Sequence, residues 1–138
     1  MKFMLVIYND STMLEELPTG QFDGMMRDCF AHVDELQQQG RLLESRMLGS
    51  PSGARSVRVR DGRLTTMDGP YAEAKEVLGG FNIIEARDID EAVEIASHFP
   101  WARTGCVEVR PVIELADMRR QVGAPPGPAE RATPAPVG

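Results

Sequence analysis

The sequence predicts an α+β fold of the ferredoxin-like type, with the element order βαββαβ and an inserted β-hairpin. Two strand-helix-strand units follow each other along the chain, and a hairpin signal lies between them. The chain has 138 residues, of which 42% are hydrophobic, so it is long enough for one domain with a core and too short for two. Two right-handed units of this kind interleave into a four-stranded antiparallel sheet with both helices on one face.

The first unit consists of a strand, an amphipathic helix and a second strand. Residues 3–8 are a continuous apolar run with β-branched members, which is typical of a strand buried on both faces. Apolar residues then recur at helical spacing up to a stop signal at Gly40, which predicts a helix over residues 20–39. Residues 42–48 supply the second strand.

The inserted hairpin separates the two units. Residues 55–60 and 63–67 alternate on either side of Asp61-Gly62, which is a strong signal for a tight hairpin turn. In the first hairpin strand, Val57 and Val59 lie on one face, and Arg58 and Arg60 lie on the other.

The second unit starts with a strand over residues 81–86 and ends with an alternating strand over residues 106–112. Between them, Asp88 followed by Glu91 predicts a helix start, because an Asp side chain caps the first backbone N–H groups, and Pro100 ends the helix. The predicted apolar positions of this helix are Ile89, Val93, Ala96 and Phe99.

One face of the predicted sheet lacks a helix layer. Because the first strand is apolar on both sides, that face is unfavourable in water, and a second subunit is the simplest cover. We therefore predict a homodimer whose sheets pack face to face as a dimeric α+β barrel. Sedimentation as a monomer at micromolar concentration would contradict this prediction.

The chain divides into a domain and a tail. Residues 1–118 contain every predicted strand and helix, whereas residues 119–138 are rich in proline, alanine and glycine. Such a composition offers little that can pack in a core, so we predict a flexible C-terminal tail.

Composition argues against several functional classes. A net charge of −6 disfavours direct binding to nucleic acid. The longest apolar run is far shorter than the ~20 residues of a membrane span, and no signal-peptide core forms, so we expect a cytoplasmic protein without membrane contact. Cys29 and Cys106 have no partner at metal-ligand spacing, so we predict reduced, packed thiols and neither a metal nor an organic cofactor.

The candidate site is the motif, residues 68–80, which reads Asp-Gly-Pro-Tyr-Ala-Glu-Ala-Lys-Glu-Val-Leu-Gly-Gly. Asp68, Gly69 and Pro70 suit a turn, in which Asp68 holds the loop and is also a candidate ligand contact. No turn requires Glu73 or Lys75, so we predict that both contact a polar ligand, with Glu73 also a candidate for proton transfer. Solvation of a short helix is the alternative explanation for these charges.

Three residues outside the motif are further candidates. Tyr8 and Asp10 lie where the first strand ends, a position from which polar groups can line a pocket mouth. His32 is a candidate catalytic acid or base if its side chain faces a ligand pocket, because a histidine titrates near neutral pH. The alternative for His32 is a residue at the core boundary with a hydrogen-bonded partner.

The motif and much of the chain resemble the YCII-related family, in the branch named for an Asp-Gly-Pro-Phe motif. Tyr71 replaces the usual Phe. The resemblance extends over residues 1–112 and includes the hairpin segment 57–62 and the closing segment 107–112. It implies a ferredoxin-like fold and a dimeric α+β barrel, and it brings no settled activity.

The resemblance also implies two functional hypotheses. The resemblance to the wider family implies a candidate His-Asp catalytic pair, but Cys29 occupies the position that we align with that histidine, and His32 lies one turn further on. The first hypothesis is a protein that binds a small polar ligand, with acid-base or lyase-like chemistry. The alternative is a non-catalytic regulatory protein, since members of the branch are often encoded beside extracytoplasmic-function sigma factors.

Overall fold

The elements follow the predicted order, with three additional short helices. The structure, a computed structural model, describes residues 1–70 and 74–131. In these ranges the strands are β1 (Lys2–Asp10), β2 (Leu42–Met47), β3 (Arg55–Arg60), β4 (Arg63–Asp68), β5 (Glu76–Glu85) and β6 (Gly105–Pro111), and the helices are α1 (Ser11–Glu15), α2 (Gln21–Gln38), α3 (Ile89–Ser97), α4 (Leu115–Val122) and α5 (Pro128–Arg131).

The main sheet has four strands in the order β2-β5-β1-β6, and every neighbouring pair is antiparallel. This order is that of a ferredoxin-like sheet once the hairpin is left aside. The hairpin β3-β4 forms a separate two-stranded sheet. The α+β fold and the inserted hairpin are therefore confirmed.

The hydrophobic core lies between the sheet and helices α2 and α3. On the sheet side, Phe3, Leu5 and Ile84 are at most 1% exposed. On the helix side, α2 contributes Met25 and Leu36. Full burial of a side chain of this size stabilises the fold by roughly 1.5–3 kcal/mol, so these contacts fix the helix layer on the sheet.

Helix α3 buries two of the four predicted apolar positions, Ala96 and Phe99, but not the other two. Ile89 and Val93 are 46% and 51% exposed, so their assignment to the core is wrong. The buried positions form a stripe at helical spacing, with small side chains that let the helix approach the sheet closely. This stripe consists of Ala92, Ile95 and Ala96 in the helix and Phe99 just after it.

The open sheet face is the side of the four-stranded sheet opposite α2 and α3, and it carries Met4, Val6, Tyr8, Phe81 and Ile83. Successive strand residues point to opposite faces, and the strand register places Val6 beside Phe81 and Met4 beside Ile83. Val6 is buried yet lies outside the core cluster, which agrees with its place on this second face. The strand pattern thus leaves an apolar surface without a helix layer.

Cys106 differs from its predicted environment. Its strand alternates as expected, with Val107 and Val109 packed against the core. Cys106 itself pairs with Tyr8 on the open sheet face and is exposed, so the prediction of a packed thiol is wrong for this residue. Cys29 is half-buried against the core, as predicted.

Helix α4 crosses the predicted domain boundary at residue 118. It ends at Gly123, whose φ of 72° is the left-handed conformation that favours glycine at a helix end. Its apolar side chains Leu115, Met118 and Val122 are 74%, 41% and 68% exposed. The division into domain and tail stays a prediction. In the described ranges, no helix has the length and apolar character needed to cross a membrane.

Candidate functional site

A wide cavity, which we call the motif cavity, lies beside the start of the motif and has a volume of about 1170 Å³. Its walls come from the end of β1, the first half of β5, residues 48–54 and the first turn of the motif. Tyr8 and Leu78 line it from the sheet, and Gly69 and Pro70 line it from the motif. The structure therefore places one predicted ligand residue, Tyr8, next to the motif.

The backbone of Gly69 fixes the start of the motif. Its N–H donates to the carbonyl of Ala54 at 2.7 Å, and its own carbonyl accepts from Oγ of Ser56 at 2.9 Å. Its φ of 97° is disfavoured for residues with a Cβ, so glycine is required by conformation. These bonds attach the motif to the base of the hairpin.

Asp68 contacts a different group from the loop atoms that we predicted. Its side chain is 94% exposed, and its Oδ1 lies 3.6 Å from Nε of Arg55 on the paired hairpin strand. Because an exposed ion pair of this kind contributes little to stability, Gly69 rather than Asp68 holds the turn. The role of Asp68 as a ligand contact stays a prediction.

Asp10 and Lys75 come together at the end of the first strand. Nζ of Lys75 lies 3.4 Å from Oδ2 of Asp10, whose side chain is only 5% exposed, whereas that of Lys75 is 79% exposed. Oδ1 of Asp10 accepts from the backbone N–H groups of Thr12 and Met13 at 3.0 and 3.2 Å and so caps α1. The carboxylate is therefore occupied by structural contacts.

The environment of Asp10 favours its charged form. The Met13 N–H lowers the pKa most, burial opposes this effect, and the ammonium group of Lys75 lowers the pKa further. At neutral pH, Asp10 therefore holds Lys75 near the sheet, and the exposed ammonium group can still reach a ligand.

Glu73 and Tyr71 lie outside the described residues 1–70 and 74–131. The role of Glu73 in binding a ligand and transferring a proton therefore stays a prediction.

His32 lies in a different part of the molecule from the motif cavity. It lines a cleft of about 480 Å³ between α2 and α3, which shares no lining residue with the motif cavity. Its Nε2 donates to the carbonyl of Ile95 at 3.0 Å, and its ring contacts Phe99 edge-on at a centroid distance of 4.6 Å. This environment matches the alternative role, that of a hydrogen-bonded histidine at the core boundary. The structure does not bring His32 to the motif.

A second cavity, which we call the helix-side cavity, was missed by the sequence analysis. It has a volume of about 280 Å³ and lies between α2 and the main sheet, with Cys29 and Trp101 in its wall. Burial raises the pKa of the Cys29 thiol, and a hydrogen bond with Trp101 opposes that rise. The thiol therefore stays protonated at neutral pH and behaves as part of an apolar wall.

Gly79 and Gly80, at the end of the motif, form one side of the helix-side cavity. A Cβ on Gly80 would lie 2.6 Å from the carbonyl oxygen of Arg46, and one on Gly79 would lie 2.3 Å from Nδ2 of Asn9. The contact at Gly80 is too short for a side chain because it is with backbone, whereas the contact at Gly79 is with the movable end of a side chain. Adjacent glycines in a strand were the sequence signal for this close approach.

Metal binding has no candidate group in the ranges 1–70 and 74–131. No three His, Cys, Asp or Glu side chains in those ranges are grouped to hold a metal ion. The expectation that the protein needs neither a metal nor an organic cofactor stays a prediction.

Comparison with known proteins identifies relatives of unknown function. Residues 1–116 match the YCII-related domain family. The chain is also 32% identical over 114 residues to an uncharacterized protein of Rhizobium meliloti (strain 1021), an alignment that covers 81% of this chain and 92% of that protein. The family match includes all six strands and both cavities, and it ends within α4.

Proposed function

This chain belongs to the YCII-related family, and we propose that it is a homodimer that binds a small polar molecule in the motif cavity. The observation that carries the proposal is that the cavity opens onto the open sheet face. Tyr8 and Leu78 line the cavity and are paired with each other on that face. A second copy covering the face would therefore also enclose the site.

The size of the motif cavity supports this arrangement. Its 1170 Å³ exceeds the roughly 300–1,000 Å³ of pockets that enclose small ligands. A partner sheet packed at the usual separation of ~10 Å would reduce the open volume and exclude water from one side. The ligand site would then lie between the two subunits.

Two apolar surfaces support the homodimer. One is the open sheet face, and the other is the exposed stripe of α4 that contains Leu115, Met118 and Val122. Apolar surfaces that the chain's own helices leave uncovered can mark interaction sites, and a symmetric pair of chains buries the same surface twice. We therefore propose sheet-to-sheet packing into a dimeric α+β barrel, with α4 as an additional contact.

The groups around the cavity favour a polar ligand. Tyr8 supplies a hydroxyl group in the wall, and Lys75, next to Ala74 of the wall, supplies an exposed ammonium group. We further propose that the protein carries out acid-base or lyase-like chemistry on the bound molecule. Glu73 is then the proton-transfer group rather than His32, because His32 lines a separate cleft.

The motif also supports a place in the Asp-Gly-Pro-Phe branch of the family. Asp68, Gly69, Pro70 and Tyr71 preserve its pattern, with one aromatic residue in place of another. We propose this branch on the motif and on the φ of Gly69, which only a residue without Cβ adopts readily.

The test is a ligand screen by thermal shift on the wild type, Glu73→Gln and Lys75→Met. A ligand present at 100 times its Kd stabilises the folded state by ~2.7 kcal/mol, which is measurable as a rise in Tm. The matched control is Arg87→Met. Like Lys75, Arg87 is an exposed, ion-paired basic side chain, with 77% exposure, but it lies just before α3 and away from the motif. We expect hits that are weakened by both motif variants and unchanged by Arg87→Met. Hits that persist unchanged in both motif variants would refute the motif site.

One observation favours the regulatory alternative. The hairpin exposes apolar side chains on one face, with Val57, Val59 and Leu64 at 64%, 57% and 66% exposure. An isolated two-stranded sheet is marginally stable, so a protein partner on this face would stabilise it. If the partner is an extracytoplasmic-function sigma factor, Val59→Lys would abolish its binding without changing the thermal shifts of motif-cavity ligands.

A further inference from the structure

Both edges of the open sheet face carry charged side chains. Glu44 and Arg46 lie on the edge strand β2, and Glu108 and Arg110 lie on the edge strand β6. Each of the four is paired in register with an apolar residue of the open sheet face, so all four side chains point to that face. The apolar centre is therefore bordered by one acid and one base on each side.

The strand register arranges these residues in two rows that cross the sheet. One row has its acid on β2 and its base on β6, and the other row has its base on β2 and its acid on β6. In the strand order β2-β5-β1-β6, the rows read Glu44-Ile83-Met4-Arg110 and Arg46-Phe81-Val6-Glu108. Each row is therefore apolar in the middle and carries opposite charges at its two ends.

The charges at the two edges can still meet another surface. Nη2 of Arg46 lies 2.7 Å from Oε1 of Glu44, but the two side chains are 66% and 39% exposed, so this ion pair contributes little to the stability of one chain. Glu108 and Arg110 are exposed, and neither forms an ion pair within residues 1–70 and 74–131. A second copy of the chain, with the same pattern, offers both signs of charge.

A two-fold axis parallel to the strands matches this pattern to itself. Two copies packed face to face present the same surface to each other, because a two-fold interface is self-complementary. With the axis parallel to the strands, each row faces the same row of the partner, read in the reverse direction. Every acid at the end of a row then meets a base. Packed sheets lie ~10 Å apart, a gap that Arg and Glu side chains can span from both sides.

The neighbouring residues favour this axis over one perpendicular to the strands. The perpendicular axis would also bring opposite charges together, because it places one row over the other. It would, however, place the apolar and aromatic pair Leu78 and Tyr8, beyond one row, over the charged pair Lys2 and Glu85, beyond the other row. With the parallel axis, Leu78 faces Tyr8 of the partner subunit, and Lys2 faces Glu85 of the partner subunit.

We propose that the homodimer packs about a two-fold axis parallel to its strands, with Glu44 and Arg46 of one subunit facing Arg110 and Glu108 of the partner subunit. This inference rests on the homodimer of the proposed function and specifies how its two sheets are oriented.

The same packing makes the ligand site a shared one. Leu78 lies in the wall of the motif cavity, so Tyr8 of the partner subunit, which faces it, joins that wall. Each motif cavity then contains a phenolic hydroxyl group from both subunits.

The test exchanges the two charges of one edge at a time. Glu44→Arg combined with Arg46→Glu, or Glu108→Arg combined with Arg110→Glu, keeps the composition and the net charge but reverses the sign at each position. In either double variant, every edge contact of the homodimer joins like charges. We expect the dissociation constant of the dimer, measured by analytical ultracentrifugation, to rise roughly 100-fold. Because salt screens exposed charges, added salt should tighten the dimer of each variant and weaken that of the wild type.

An equimolar mixture of the two double variants is the critical measurement. In a heterodimer of the two, every edge contact again joins opposite charges, so the mixture should form dimers with about the wild-type dissociation constant. Recovery in the mixture also shows that both variants are folded. With a perpendicular axis, each variant alone would remain a dimer.

Two results would overturn this arrangement and leave the homodimer standing. The first is a dimeric wild-type protein whose two double variants dimerise equally well on their own. The second is a pair of variants that dissociate and do not associate when mixed. A monomeric wild-type protein would instead overturn the homodimer itself, and this inference with it.

Discussion

Ile83 and Ile84 are neighbours in β5, and their surroundings differ because they lie on opposite faces of one sheet. Ile84 is 0% exposed and belongs to the core under the helices, whereas Ile83 is half-buried on the open sheet face. The chain therefore places apolar residues on both faces but covers only one of them. Burial of the covered face stabilises the fold of a single chain, and we propose that a second copy associates with the open face.

The two cavities follow the same division. The helix-side cavity is bounded by α2 and the sheet of one chain, and its wall is mostly apolar. The motif cavity has four times the volume and opens onto the uncovered face. One chain therefore encloses the helix-side cavity, whereas the motif cavity is left open by one chain.

The largest expected effect is the difference in stability between substitutions at the two isoleucines. Ile84→Ala removes a fully buried side chain and should lower the free energy of unfolding by about 2–5 kcal/mol at every protein concentration. Ile83→Ala should cost less, and its cost should depend on protein concentration if its side chain packs in the proposed dimer. Urea unfolding at two concentrations measures both. Equal, concentration-independent costs would show that the two faces do not differ in this way.

The next effect compares the two glycines at the end of the motif. Gly80→Ala places a Cβ against the backbone of β2, 2.6 Å from the carbonyl oxygen of Arg46, and should destabilise the fold by about 1–3 kcal/mol. Gly79→Ala meets the end of the Asn9 side chain, which can rotate away, so it should cost less. Thermal unfolding of the two variants and the wild type measures both destabilisations. A Gly80→Ala variant as stable as the wild type would contradict the close approach of β2 and β5.

The smallest effect concerns the pair Asp10 and Lys75 at the motif end. The folded-state pKa of Asp10 is lowered, so its contribution to stability is present above the ordinary value of about 3.9 and is lost as the pH falls through the folded-state pKa. Asn at position 10 can still cap α1 but carries no charge. Asp10→Asn should therefore reduce the loss of Tm between pH 5 and pH 2, and Lys75→Met should reduce it less. An acid-induced loss of Tm identical in Asp10→Asn and wild type would contradict this assignment.

The elements of the fold were predictable because each has a local signature. The apolar run of β1, the helical spacing in α2 and the Asp61-Gly62 turn define their elements without long-range information. Asp88 caps α3 as the sequence predicts, with its Oδ1 accepting from the N–H of Glu91 at 2.9 Å. The stripe of α3 was less predictable, because the helix buries Ala92, Ile95 and Ala96 but leaves Ile89 and Val93 exposed.

The candidate sites were harder to predict because the same residue at the same place in the linear sequence can have more than one role. An aspartate after a strand can line a pocket or cap a helix, and Asp10 caps α1. A histidine beside an apolar stripe can face either way, and the carbonyl that binds His32 lies 63 residues away in sequence. The helix-side cavity depends on contacts between Gly79 and Asn9, which only the paired strands bring together.

Sedimentation velocity at micromolar concentration tests most directly the claim that a second copy covers the open sheet face. We expect the wild-type protein to sediment with a mass twice that of one chain. Phe81→Glu, which places a charge on the open face, should sediment as a folded monomer, whereas Val93→Glu, the control on exposed α3, should remain a dimer. A monomeric wild-type protein, or a Phe81→Glu variant that remains a dimer, would contradict the account.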